Sequence, residues 1–226
     1  IELYGGKKDD VTNKWFIGEP IDVNYDYVFD GIWQTDEAEQ AAVYGQKPGQ
    51  VKVRDIDGNK VIDADDKQIL GQRSPKWIGS ITSTFRYKDF DLSVYLYTQQ
   101  GAQVQDAFMS SFMTFEGNYN QLDVDYWTEN NPSNEFPQPG NKGKYYDTMR
   151  YIDVSFVRVG SITLGWNIPK EWTKKIGIKN ARLYFTTNNP FTFSSYKGFD
   201  PEWATQNTWG TVTGYTTYLI GTKIEF

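Results

Sequence analysis

Period-two alternation recurs along this chain, and it restricts the fold more than any other feature, because an extended strand sends successive side chains to opposite faces. The clearest run is Phe90 to Gln99. Phe90, Leu92, Val94 and Leu96 fall on one face, and Asp91, Ser93, Tyr95, Tyr97 and Gln99 on the other. A one-residue slip would carry Asp91 to the apolar side, so the pattern also fixes which face is which. Trp77 to Tyr87 repeats it with Trp77, Ile81, Phe85 and Tyr87, and the link Tyr87-Lys88-Asp89-Phe90 is short enough for a hairpin. Ile152 to Ile168 keeps Ile152, Val154, Phe156, Ile162, Leu164, Trp166 and Ile168 in phase. Arg158 and Gly160 interrupt that face, which sets Arg158 either beyond the apolar zone or at a bulge that shifts the phase. Ala181 to Thr187 alternates again, and so does the end of the chain, where Tyr218, Ile220, Thr222, Ile224 and Phe226 share a face. A further strand is expected over Ile17 to Tyr27, with a stub at Ile1 to Gly5.

Composition indicates what the apolar face meets. Aromatic residues make up 17% of the chain while its mean hydropathy is −0.63. Transmembrane barrels combine these properties, since only alternate residues face lipid and aromatic girdles line both interfaces. No run approaches the roughly 18 apolar residues of a membrane helix. Connections point the same way. Short links follow Tyr87 and Ile168, whereas long polar stretches fill Asp30 to Lys76, Gly101 to Arg150 and Asn188 to Gly214. With Phe226 at the periplasmic end, every short link falls in the periplasm and every long loop outside, as in bacterial outer-membrane barrels. An aromatic C-terminus preceded by alternating aliphatics also looks like the strand read by barrel-assembly machinery.

The expected fold is therefore all-β: about six antiparallel strands forming the C-terminal portion of a large transmembrane β-barrel with long extracellular loops. Six strands cannot close around a solvated lumen, and open edges in lipid are costly. The opening Ile1-Glu2-Leu3-Tyr4 is no signal peptide. Further barrel strands are accordingly expected upstream, with residues 1–226 as one C-terminal piece.

Several chemistries are excluded. The chain has no Cys and no His, which removes disulfides, thiolate nucleophiles, Cys/His zinc sites and His-based triads. A net charge of −6 disfavours nucleic acid. No carboxylate pair stands at a spacing that marks an acid/base site, so no catalytic residue is assigned. One motif remains, Asp55-Ile56-Asp57-Gly58-Asn59-Lys60-Val61-Ile62-Asp63-Ala64-Asp65-Asp66. Asp55, Asp57, Asn59, the Val61 carbonyl, Asp63 and Asp66 follow the ligand order of an EF-hand calcium loop, and hard oxygens suit Ca²⁺. Lys60 stands where that loop places Gly, and Asp66 is shorter than the usual Glu, so binding should be weak. The alternative is a solvated acidic loop held by Asx turns.

A colinear series of short motifs then resembles the C-terminal barrel region of SusC/RagA-type TonB-dependent transporters. It runs from Asp30-Gly31-Ile32-Trp33-Gln34, Lys47-Pro48-Gly49 and the acidic loop to Leu70-Gly71, Ser74-Pro75-Lys76 and Tyr87-Lys88-Asp89-Phe90-Asp91-Leu92-Ser93. It continues through Asp125-Tyr126-Trp127-Thr128, Asn131-Pro132, Val157-Arg158-Val159, Thr163-Leu164-Gly165-Trp166, Pro169, Asn188-Asn189-Pro190-Phe191-Thr192 and Tyr196-Lys197-Gly198-Phe199-Asp200-Pro201-Glu202. The resemblance implies an outer-membrane importer of a glycan or peptide with a 22-stranded plugged barrel. It also implies a SusD-like surface lipoprotein as a partner, and TonB acting through a plug and N-terminal segment outside this sequence. The family's acidic loop commonly carries a second Gly where Lys60 stands here.

Competing readings are a passive porin and a secreted calcium-dependent carbohydrate-binding module, the latter soluble on its own. Tyr95, Tyr97 and Tyr184 on the lumen side, with Trp127, Trp203 and Trp209 in loops, could stack on sugar rings; girdle or packing roles are the alternative. None is assigned as a substrate residue.

Overall fold

The computed structural model describes residues 8–106, 123–141, 143–204 and 214–226. Its strands, in chain order, are β1 (Val23–Tyr27), β2 (Phe29–Ile32), β3 (Val51–Val53), β4 (Lys67–Gln72), β5 (Trp77–Tyr87), β6 (Phe90–Gln100), β7 (Gln103–Gln105), β8 (Tyr151–Asp153), β9 (Phe156–Asn167), β10 (Asn180–Ser194) and β11 (Thr217–Glu225). They divide between two compact units: β5, β6, β9, β10 and β11 in one, and the remaining six in the other.

The five long strands form one antiparallel sheet in the order β11-β10-β9-β6-β5. They run 9 to 15 residues each, and a tilted strand needs roughly 9–11 to cross a bilayer. Register turns the alternation of each strand into a continuous surface. Phe85, Leu92, Leu164, Phe185 and Ile220 lie side by side across all five strands, and Tyr87, Phe90, Trp166 and Leu183 form the next row. Phe90 stacks on Trp166 at 6.1 Å. This face is bare: Phe85 is 62% exposed and Ile220 78%. The reverse face is polar, with Thr84, Ser93, Thr163 and Thr186 in one row. There the Thr163 and Thr186 hydroxyls are 2.9 Å apart. Arg182 crosses over Gly165 to Asp91 at 2.6 Å, a path that a Cβ at position 165 would block.

A bulge resolves the interruption at Arg158. Tyr95 pairs with Ser161 but Leu96 with Val159, so Gly160 is the extra residue in β9. Alongside it, β10 carries Asn189, at φ 50, and Pro190 between its own paired positions. The inserted residue flips the parity. Val157 and Val159 join Leu96, Phe191 and Phe193 on the apolar face, while Phe156 and Arg158 turn to the polar one. Expecting Phe156 in phase with Ile162 is thus corrected. The long strand expected from Ile152 also breaks at Val154-Ser155, and Ile152 belongs to β8 in the other unit.

Two short connections, Lys88-Asp89 and residues 168–179, lie at one end of the sheet. Glu225 is at that end too: its carbonyl accepts the Lys179 N–H at 2.8 Å. The connections leaving the opposite end are long.

The other unit consists of three two-stranded ladders, β1-β4, β2-β3 and β7-β8. Its core joins Ile32, Val51, Val53, Trp127, Tyr145 and Tyr146, with Tyr27, Phe29, Ile62 and Met149 packed around them. Ile17 to Tyr27, expected to extend the long sheet, is a strand only over Val23–Tyr27 and pairs with β4 instead. Stretches read from sequence as polar loops therefore hold a small folded unit. Gly49, at φ 83, shows what shapes it: the Trp127 ring lies 2.7 Å from where a Cβ would sit. The stub Ile1 to Gly5 lies outside the described residues.

Candidate functional site

Two clusters concentrate charge, one in each unit. In the sheet, Arg158 is 3% exposed. Its Nη2 donates to Asp200 Oδ1 and its Nη1 to Glu202 Oε2, both at 2.7 Å. Nε donates to Thr192 Oγ1 at 2.9 Å, and Nη1 also reaches the Tyr97 hydroxyl at 3.2 Å. Tyr97 in turn donates to Glu202 at 2.7 Å. The guanidinium lies over the Phe156 ring, 4.9 Å from its centre. A planar donor fork with two carboxylates satisfies a buried Arg by charge and geometry together. The cluster fastens the short helical turn Pro201–Ala204, between β10 and β11, to the polar face of the sheet. Sequence reasoning singled out Arg158 but not Asp200 or Glu202 as its partners. They stand 42 and 44 residues away, and no local pattern links them.

The second cluster is the acidic loop, between β3 and β4. Asp55, Asp57 and Asp66 each offer a carboxylate oxygen within 4.8 Å of the others. Asp66 is fully buried and closes the loop by accepting the N–H groups of Ile56 at 2.7 Å and Asp63 at 2.9 Å. Asp55 accepts from Gly58 at 2.7 Å, Lys60 at 2.8 Å and the Tyr44 hydroxyl at 3.1 Å. Burial acts to raise the Asp55 pKa, but these donors outweigh it and hold the carboxyl below its ordinary value. Lys60 takes φ 65, so it supplies the left-handed turn expected of Gly. Ile62 anchors the loop by packing on the Trp127 core.

The remaining predicted ligands are engaged differently. Asn59 Oδ1 accepts the Val61 N–H at 2.6 Å, and Asp63 Oδ1 accepts from Asp65 at 2.9 Å, both local Asx contacts. Asp63 also begins the 3₁₀ turn Ala64–Asp66 and stands outside the carboxylate group. Among the described residues, none of Asp55, Asp57 and Asp66 forms an ion pair with Lys or Arg. Three clustered carboxylates with only neutral donors repel one another, and an oxygen-loving cation fits that donor set.

Trp127 is a core residue, 3% exposed, with its Nε1 donating to Gln34 Oε1 at 2.9 Å. Tyr95 and Tyr97 stack on each other at 5.7 Å. Tyr184 lies over Gly221, where a Cβ would collide with its ring. Trp203 sits half-buried in the turn Pro201–Ala204, and Trp209 lies outside the described residues.

No family model matches the chain. It is 30% identical over 189 residues to TonB-dependent receptor P3 of Formosa agariphila, covering 82% of this chain and 19% of that protein. It is also 28% identical over 186 residues to TonB-dependent receptor SusC of Bacteroides thetaiotaomicron, covering 80% and 18% respectively. The chain is homologous to SusC-type TonB-dependent receptors. It spans about a fifth of the length of these relatives. Among solved structures it is similar to the RagAB peptide transporter, with a TM-score of 0.75 and 22% identity over 94% of this chain and 24% of that one. The RagAB importer in its open-open state gives 0.73 and 21%, covering 100% and 25%. The fold is thus all-β and is that of part of a TonB-dependent transporter barrel. TonB-dependent receptors are outer-membrane proteins of Gram-negative bacteria, and these relatives are receptors and transporters rather than enzymes.

Proposed function

We propose that this chain supplies barrel wall and external loops to an outer-membrane active importer of a glycan or peptide. The supporting observation is the registered apolar surface across five strands, bare on one side and backed by a charged, hydrogen-bonded face on the other. In this reading hydrocarbon covers Phe85, Leu92, Leu164, Phe185 and Ile220, and the polar face borders a wet lumen. The short-link end and Phe226 lie in the periplasm, and the long connections face outward. A SusD-like lipoprotein closes over the substrate from outside, and TonB supplies energy through parts of the protein beyond this chain. A secreted binding module would leave the apolar surface in water, which soluble proteins avoid over so large an area.

The acidic loop is part of the proposal as a structural calcium site. Asp55, Asp57 and Asp66 would hold the ion, assisted by Asn59, the Val61 carbonyl and Asp63. The ion would offset the repulsion among the gathered carboxylates and stiffen the loop.

Uptake tests the function. Cells carrying the intact receptor should import a glycan or peptide that a deletion strain does not, and uptake should stop when a protonophore collapses the inner-membrane gradient. Uptake that persists without the gradient would show a porin and overturn active import.

A further inference from the structure

The link between β9 and β10 has a charge and exposure pattern that substrate import does not use. Residues 168–179 hold four lysines, Lys170, Lys174, Lys175 and Lys179, against one acid, Glu171, in a chain of net charge −6. The helical turn Lys170–Thr173 runs into the 3₁₀ turn Lys174–Ile176, and Gly177 at φ 74 ends it. Thr173 packs inward, while Trp172 and Ile176 stand 59% and 72% exposed. Trp172 meets Trp166 edge to face at 6.0 Å. Trp166 lies in the apolar row with Phe90 and Leu183, so the bare aromatic surface of the sheet continues onto this turn. Lys179 pairs with Glu225 at 3.4 Å. Lys170, Lys174 and Lys175 are exposed and form no ion pair among the described residues.

We propose that this turn docks anionic glycerophospholipid headgroups of the leaflet at the short-link end. Trp172 and Ile176 enter the interfacial zone, where amphipathic rings favour the headgroup level. Lys170, Lys174 and Lys175 extend flexible stems from the same turn to the lipid phosphates. Glu171 lies on the turn itself, Asp89 on the neighbouring link accepts the Asn167 N–H through its backbone carbonyl, and Glu225 is already engaged by Lys179 and Asn180. The turn thereby fixes the depth of the sheet at that edge. The inference rests on the reading of the sheet as barrel wall.

The test uses the intact receptor in nanodiscs that mix phosphatidylglycerol with phosphatidylcholine, with native mass spectrometry counting the lipids retained on gentle delipidation. The protein should retain phosphatidylglycerol preferentially. K170Q/K174Q/K175Q should lower that preference by about ten-fold, whereas K14Q/K47Q/K76Q, with the same change in net charge at exposed lysines outside this turn, should leave it unaltered. An undiminished preference in the first variant, or an equal loss in both, would overturn the docking site while leaving the wall reading intact. Failure of the wild-type receptor to enter the nanodisc would instead remove the wall reading, and the docking site with it.

Discussion

Arg158 and Arg54 are both ion-paired, yet their surroundings give them very different weights. Arg54 reaches Asp30 at 3.1 Å with its side chain 56% exposed, so solvent screens the pair. The Arg158 side chain is 4% exposed and that of its partner Asp200 5%. Removing one member of such a buried pair strands the other charge, at a cost of about 3–5 kcal/mol. Arg158→Met should therefore lower the urea midpoint of the intact receptor in detergent by that equivalent, and Arg54→Met by less than about 1 kcal/mol. Equal small effects would mean that the Arg158 cluster does not fasten the Pro201–Ala204 turn. Sequence marked Arg158 only as a misfit in an apolar run. Its carboxylates were invisible because the pairing depends on a loop folding back over the sheet.

Elements differ in how legible they were. β5, β6 and β11 followed from alternation alone, since each is long and keeps one parity. β10 is legible only over Ala181 to Thr187, and its continuation to Ser194, past the irregularity at Asn189-Pro190, reads in sequence as loop. β9 was harder: Gly160 shifts the phase, and a Cβ there would come within 2.6 Å of the Tyr95 ring. β2 and β3, at four and three residues, are too short to show a period, and tertiary burial around Trp127 makes them strands. The acidic loop could be read in outline. Its spacing pointed to Asp55, Asp57 and Asp66, which do converge, but local Asx contacts engaging Asn59 and Asp63 need the fold to be seen. In calorimetric titration of the intact receptor, Asp55→Asn and Asp57→Asn should each weaken calcium binding at least about ten-fold. Heats matching the unaltered protein in both variants would remove the metal from the loop.

Taken together, the sheet has one side suited to hydrocarbon and one suited to water, with its short links and Phe226 at a common end. Alternating hydropathy carried the all-β class and the sidedness. The partition into two units did not follow from it, because the stretches between long strands look uniformly polar in sequence. Burying a Phe or Leu contributes roughly 1.5–3 kcal/mol, so rows of such residues left bare in water would drive aggregation. Spin labels on single cysteines in the intact receptor, otherwise freed of cysteine and reconstituted in phospholipid bilayers, test this sidedness. Leu92→Cys, Phe185→Cys and Ile220→Cys should collide chiefly with lipid-soluble oxygen, and Ser93→Cys and Thr186→Cys with a water-soluble nickel chelate. Low collision with both agents at Leu92, Phe185 and Ile220 would show these side chains packed inside protein, and would contradict the barrel-wall reading.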